Sequence, residues 1–155
     1  MAWSQKGRLA GVALTGAVAL VTAWEGRELL AYPDVIDTWT ICYGDTHGVR
    51  EGQTATPAEC DKRLYARLQQ FDADLSKCVT YQMPPGVHAA LISLTYNVGP
   101  SAICRSTLVR KLNAGDIVGA CNEFPRWRFA GGKEVRGLLN RRKAEMAVCL
   151  AGARA

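Results

Sequence analysis

From Leu9 to Trp24 (LAGVALTGAVALVTAW) sixteen residues carry no charge, with Lys6 and Arg8 before the run and Glu25 closing it. As a helix the run measures about 24 Å, short of a ~30 Å hydrocarbon core. Its many Ala and Gly residues, with Thr15 and Thr22, keep it only weakly apolar. Further on, Cys60, Leu64, Leu68, Phe71, Leu75 and Cys78 recur at spacings of 4, 4, 3, 4 and 3, a single stripe with charges on the other faces. Thr56-Pro57-Ala58-Glu59 supplies the start signal: a threonine cap, a proline in the first turn and a glutamate three positions after the cap. The pattern predicts a helix over 56–78. Pro84-Pro85 opens another, to about Asn97, whose HAALISLTYNV sequence is apolar nearly all round and reads as the central buried helix.

Shorter helices are expected near 105–113 and 116–124, parted by Gly115 with Asp116 as a cap. A last one should cover 137–150, with a less regular stripe of Leu138, Leu139, Met146, Cys149 and Leu150. Trp39, Ile41 and Tyr43 alternate with Thr40 and Cys42, the period of a strand. Val35–Asp37 and a turn at Asp37-Thr38 suggest a small hairpin or meander there. No long linker divides the chain, so the expected fold class is α+β: one domain, mainly helical, with a small sheet near its start.

Composition narrows the choice. At 155 residues, 48% hydrophobic and 21% charged, the chain can bury a core, and disorder is excluded. Its net charge of +5 suits an anionic polymer such as nucleic acid, a membrane face or peptidoglycan. The basic run Arg141-Arg142-Lys143 is short and reads as a solvated helix face, so no nucleic-acid partner is expected. Cys42, Cys60, Cys78, Cys104, Cys121 and Cys149 contain no CxxC or CxxH spacing, and only His47 and His88 accompany them, which speaks against a zinc site. An even count spread along the chain suggests disulfides and an oxidising compartment, against the alternative of six buried thiols.

The apolar run admits three readings: a cleaved signal peptide, with small-residue sites at Ala17-Val18-Ala19 or Val21-Thr22-Ala23; an ordinary buried helix; or an uncleaved signal anchor that can leave the membrane.

The candidate chemistry lies just beyond it, in Glu25, Asp34 and Thr40. Glu25 sits at the negative end of a helix dipole beside Trp24, Leu29 and Leu30, and both effects favour the protonated acid that a general acid must be. Asp34, in a turn after Tyr32-Pro33, should stay ionised in solvent. Thr40, facing opposite to Trp39 and Ile41, can present its hydroxyl to a cleft between hairpin and helices. Two carboxyl groups in unlike surroundings are the minimum for glycoside hydrolysis. In any chain with 14 acidic residues, the plainer reading of such a pair is two surface charges.

The spacing E-x8-D-x5-T formed by Glu25, Asp34 and Thr40 resembles the signature of the phage lysozyme family, the T-even and lambdoid muramidases. Ala89–Gly99 (AALISLTYNVG), Ser106–Asn113, Gly115-Asp116, and Trp127–Gly132 followed by Gly137-Leu138 and Arg141-Arg142 are similar to that family too, in order, so that the likeness covers about residues 24–150. The resemblance implies a lysozyme-like fold, a monomer without metal or organic cofactor, and hydrolysis of the β-1,4 bond between N-acetylmuramic acid and N-acetylglucosamine. It implies Glu25 as general acid, with Asp34 and Thr40 positioning water and stabilising the charge that develops on the sugar, with inversion. The family's first helix ends on its catalytic Glu, so residues 1–24 must supply that helix, and cleavage within them would destroy it. The arrangement resembles the signal-anchor-release endolysins. Residues 1–24 are then an anchor in the host inner membrane, contacting it through residues 9–24, with residues 25–155 as a periplasmic catalytic domain that becomes active on release.

One departure is Cys42, where family members often carry Gly or another small residue two positions past the threonine. Residues 1–24 hold no Cys, so a lock by disulfide exchange inside the anchor is not expected. Trp127 reads as a packed core residue rather than a sugar platform. Six cysteines permit fifteen pairings and the sequence alone does not choose among them; the set taken as the expectation is Cys42–Cys60, Cys78–Cys104 and Cys121–Cys149, which joins segments expected to be neighbours. A lytic transglycosylase or a non-catalytic wall-binding protein are the rival functions. The first manages with one Glu and needs no Asp34–Thr40 pair; the second would survive loss of Glu25.

Overall fold

A helix that is apolar on every face has to be surrounded, and the fold is built around one. The structure, a computed structural model, describes residues 2–155, with side chains from residue 10 onward; Lys6, Arg8 and Leu9 lie outside the described side chains. The central helix is α3 (Pro85–Val98), in which Val87 and every residue from Ala89 to Thr95 are buried. Three others pack on it: α1 (Ala2–Trp24), α2 (Pro57–Ser76) and α7 (Arg136–Arg154). Helix α1 turns Ala13, Leu14, Ala17 and Val21 inward, one face at helical spacing. A Cβ added at Gly16 would stand 3.0 Å from the Ala89 Cβ, so the two helices nearly touch there.

Helices α3 and α7 come closer still. A Cβ at Gly152 would meet the Val87 backbone N at 2.7 Å and the Gly86 Cα at 2.8 Å. Gly152→Ala is therefore expected to destabilise the fold by about 1–3 kcal/mol through overpacking, although alanine is the better helix former. Thermal melting checks this, and an unchanged or raised Tm would mean that the two helices can spread without loss.

Helix α2 starts as its sequence demands: the Thr56 hydroxyl accepts from Glu59 N at 3.2 Å while the Glu59 carboxylate accepts from Thr56 N at 2.7 Å. The expected helix at 105–113 is α5 (Thr107–Asn113), which Ser106 caps by accepting from Val109 N, and a short unexpected helix, α4 (Pro100–Cys104), precedes it. Asp116 caps α6 (Ile117–Cys121), which ends before a 3-10 turn at Phe124–Arg126 containing Pro125, a residue with no amide to extend a helix.

Strands β1 (Glu28–Pro33) and β2 (Trp39–Cys42) form an antiparallel hairpin, with Tyr32 opposite Thr40 and Pro33 opposite Trp39. Val35–Asp37 is not strand but the turn itself, because the Asp34 carboxylate accepts from Ile36 N and Thr38 N, both at 2.9 Å. The outer edge of β1 is joined by residues 53–55, through Ala31 N to Gln53 O and Ala55 N to Leu29 O. The expected in–out alternation of β2 fails: Thr40, Ile41, Cys42 and Tyr43 are all buried, because β2 is packed on α2. A second small hairpin, β3 (Phe129–Ala130) with β4 (Lys133–Glu134), turns on Gly131 and Gly132, both at positive φ.

Disulfides tie these pieces together. Cys42–Cys60 joins β2 to α2, Cys78–Cys104 joins the end of α2 to α4, and Cys121–Cys149 joins α6 to α7. Trp127 is half-buried and packs on the core. Among the described residues, no helix is long and apolar enough to cross a membrane.

Candidate active site

Helix α1 makes its last backbone bond from Glu25 N to Val21 O at 2.9 Å, which delivers the Glu25 side chain to the end of the helix bundle. There it lines a pocket of about 210 Å³ with Tyr43, Gly44, Asp45, Thr46, Arg67, Phe71 and Tyr96. The floor comes from a tight turn after β2, in which Ile41 and Asp45 exchange both backbone hydrogen bonds at 2.9 Å. That turn needs left-handed backbone at two positions, Cys42 (φ +62°) and Gly44 (φ +89°). Glycine meets the demand without cost; Cys42 does not, and its bond to Cys60 anchors it there.

The walls are held from outside the pocket by Arg63 and His47 and within it by one another. Arg63 donates to the Asp45 carboxylate at 2.9 Å, and His47 N reaches its other oxygen at 3.0 Å. Tyr96 donates its hydroxyl to Tyr43 O and stands edge-on to Phe71, ring centroids 5.9 Å apart. Burial, then the Glu25 and Asp45 carboxylates, push the Tyr96 phenol far above its ordinary pKa, so it remains a neutral donor throughout the working range. Arg67 lies over the Phe71 ring, 5.1 Å from its centroid.

Glu25 does not sit in the apolar surroundings expected of it. Trp24, Leu29 and Leu30 are exposed, and the Glu25 Oε1 accepts from Arg141 Nη1 at 2.7 Å, a residue 116 positions away. The basic run is likewise no solvated face: Arg141 and Arg142 are buried, at 5% and 0% exposure, and only Lys143 faces solvent. The local sequence carries the helix end beside Glu25 but not the cation that the fold sets against it.

Asp34 and Thr40 belong to the hairpin and are not among the residues lining the Glu25 pocket. Both are organised around Thr38: Asp34 N bonds Thr38 O at 2.9 Å, the Asp34 carboxylate takes Thr38 N, and the buried Thr40 hydroxyl donates to Thr38 O at 2.9 Å. Asp34 is half-buried rather than open to solvent. Sequence reasoning missed Arg141, Tyr43, Asp45 and Tyr96. A signal for Arg141 existed in the irregular stripe of α7, whose missing apolar positions are taken by buried charges.

The family model for phage lysozyme matches residues 22–145, which include Glu25, Asp34, Thr40 and Arg141. The chain is 40% identical over 129 residues to the SAR-endolysin of Enterobacteria phage P21, covering 83% of this chain and 78% of that one. It is 38% identical over 151 residues to the SAR-endolysin of Bacteriophage PS119, covering 93% and 90%. The fold superposes on a variant of P22 lysozyme with a TM-score of 0.79 at 32% identity, covering 86% of this chain and 94% of that one. Helical bundle, small antiparallel hairpin and a carboxylate at the end of the first helix thus agree with the sequence relationship, and the chain belongs to the phage lysozyme family of glycoside hydrolases.

Proposed function

We propose that the protein is an endolysin that hydrolyses the β-1,4 bond between N-acetylmuramic acid and N-acetylglucosamine in peptidoglycan, with Glu25 as general acid and Asp34 and Thr40 as partners of the attacking water. The observation that carries this is Glu25 itself: the one carboxylate at the end of the first helix, in a polar pocket, held by a single guanidinium. A general acid gives its proton to the glycosidic oxygen as the bond breaks, and Arg141 fixes the direction from which that proton comes. The Asp34 carboxylate is oriented by two backbone amides. The Thr40 hydroxyl, its proton given to Thr38 O, retains lone pairs for a hydrogen bond from water. Water delivered opposite to the leaving oxygen inverts the anomeric carbon.

The decisive experiment is chemical analysis of the glycan ends. Digestion of purified peptidoglycan is expected to yield reducing muramic acid, with the α anomer formed first; 1,6-anhydro ends would instead make the protein a lytic transglycosylase.

Residues 1–24 form, in this reading, a signal anchor that holds residues 25–155 on the periplasmic side of the host inner membrane and later leaves the bilayer. Two observations support it. The two relatives in phages P21 and PS119 are SAR-endolysins. The apolar run is also core: Ala13, Leu14, Ala17 and Val21 are buried in the folded domain, so cleavage after Ala19 or Ala23 would remove part of the hydrophobic core and the helix that ends at Glu25. A helix with two destinations has to be apolar enough for either and committed to neither.

A further inference from the structure

Behind Arg141 stands a second layer of charge that the reaction as described does not use. Glu145, fully buried one turn along α7, lies 3.6 Å from Arg141 Nε and 2.5 Å from Arg142 Nη2. Arg142, also fully buried, donates through Nη1 to the Asn97 side chain at 2.8 Å, near the end of α3. The groups therefore alternate in sign, Glu25–Arg141–Glu145–Arg142, and end on a neutral amide. Charged side chains are almost never buried this fully unless paired, and here each charge has its opposite only within an array of four. Burial pushes the Glu145 carboxyl up and the Arg142 guanidinium down, and each of the two charges opposes the other's shift.

The geometry makes Arg141 the shared member. Its only hydrogen bond is to Glu25; Nε and Nη2 are buried without a hydrogen-bond partner among the described residues, and Glu145 is at ion-pair rather than hydrogen-bond distance. Two carboxylates thus compete for one guanidinium, and Arg142 decides how much of Glu145 is left for Arg141. The Cys121–Cys149 disulfide fixes the turn of α7 that carries Glu145, so the array cannot relax by helix rotation.

We infer that Glu145 and Arg142 are positioning residues of the active site: by balancing the charge around Arg141 they set how strongly Arg141 holds Glu25 as a carboxylate, and so the pH at which Glu25 can still give a proton. This rests on the reading of Glu25 as general acid. The other titratable groups lining the Glu25 pocket are Asp45 and Tyr43 from the turn after β2, Arg67 from α2 and Tyr96 from α3, and neither Glu145 nor Arg142 is among its lining residues.

The sign follows from charge alone. Glu145→Gln leaves both guanidiniums without their shared anion, which favours ionised Glu25. Activity that needs protonated Glu25 is then lost at lower pH, and the alkaline limb of kcat/KM on soluble glycan strands moves down by about one pH unit. Arg142→Met frees Glu145 to bind Arg141 and moves the limb up. Asn97→Asp, at an exposed position, adds an anion beside Arg142 and also moves the limb up, keeping the test open if a buried variant does not fold. Opposite displacements, with KM little altered, are the expected result. Folded Glu145→Gln and Asn97→Asp proteins whose limbs stay at the wild-type pH would overturn the positioning role, however much activity they had lost. If Glu25→Gln is also inactive, only that role falls; an active Glu25→Gln enzyme would overturn both readings.

Discussion

Glu25→Gln is expected to fold, with an unchanged circular dichroism spectrum and a Tm lower by about 3 °C, yet to clear permeabilised Gram-negative cells about 10²–10⁴-fold more slowly than the wild type. Glutamine keeps the shape of the side chain and an oxygen for Arg141 Nη1, so the pocket of Tyr43, Asp45, Arg67 and Tyr96 stays assembled. What it cannot do is release a proton to a departing sugar oxygen. The loss in stability is small because Glu25 is half-buried, where solvent screens the lost charge. The contrast between an intact fold and a silent enzyme is what separates an acid from a structural anion. Clearing at the wild-type rate would move the acid elsewhere, with Asp45 the first candidate because it shares the pocket.

The parts of this molecule that were legible in its sequence are those decided locally. The capping box at Thr56, the cap at Asp116 and the all-round apolar pattern of α3 each act within a few residues, and the structure has each of them. The disulfide set joins Cys42 to Cys60, Cys78 to Cys104 and Cys121 to Cys149, as neighbouring segments suggested. What local pattern could not give was the electrostatics of the pocket. Glu25 meets Arg141 across 116 residues, and no window of sequence contains both. The charges of α7 were misread for a related reason: Arg142, Glu145, Cys149 and Gly152 recur at spacings of 3, 4 and 3, an inward stripe, but two of its members are ions and so the stripe looked irregular. The hairpin is where the sequence puts it, but its turn begins at Asp34 rather than at Asp37, because Val35 and Ile36 are exposed and hydrophobicity alone does not report exposure.

Helix α1 offers the second large effect, and the structure separates two substitutions that the sequence alone would treat as equivalent. Thr15→Leu is expected to delay lysis markedly in the host while leaving the purified, folded enzyme with wild-type activity. Thr15 is exposed in the folded domain and its hydroxyl bonds only to Gly11 O of its own helix, at 2.9 Å, so leucine there changes nothing that α3 touches. If α1 is the anchor proposed above, the same change adds about 1.4 kcal/mol of apolar burial in the bilayer and shifts the balance between anchored and released protein about tenfold toward the membrane. Gly16→Leu would strengthen the proposed anchor too, but it presses a side chain onto Ala89 where a Cβ alone would already stand at 3.0 Å. That variant is therefore expected to lose stability and activity once purified, because a displaced α1 carries Glu25 away from Arg141 with it. Lysis timed from induction, beside turbidity assays on the purified proteins, reads the two effects apart. If cells carrying Thr15→Leu lyse on the wild-type schedule, departure from the membrane is not the step that starts lysis, and α1 is a core helix and nothing more.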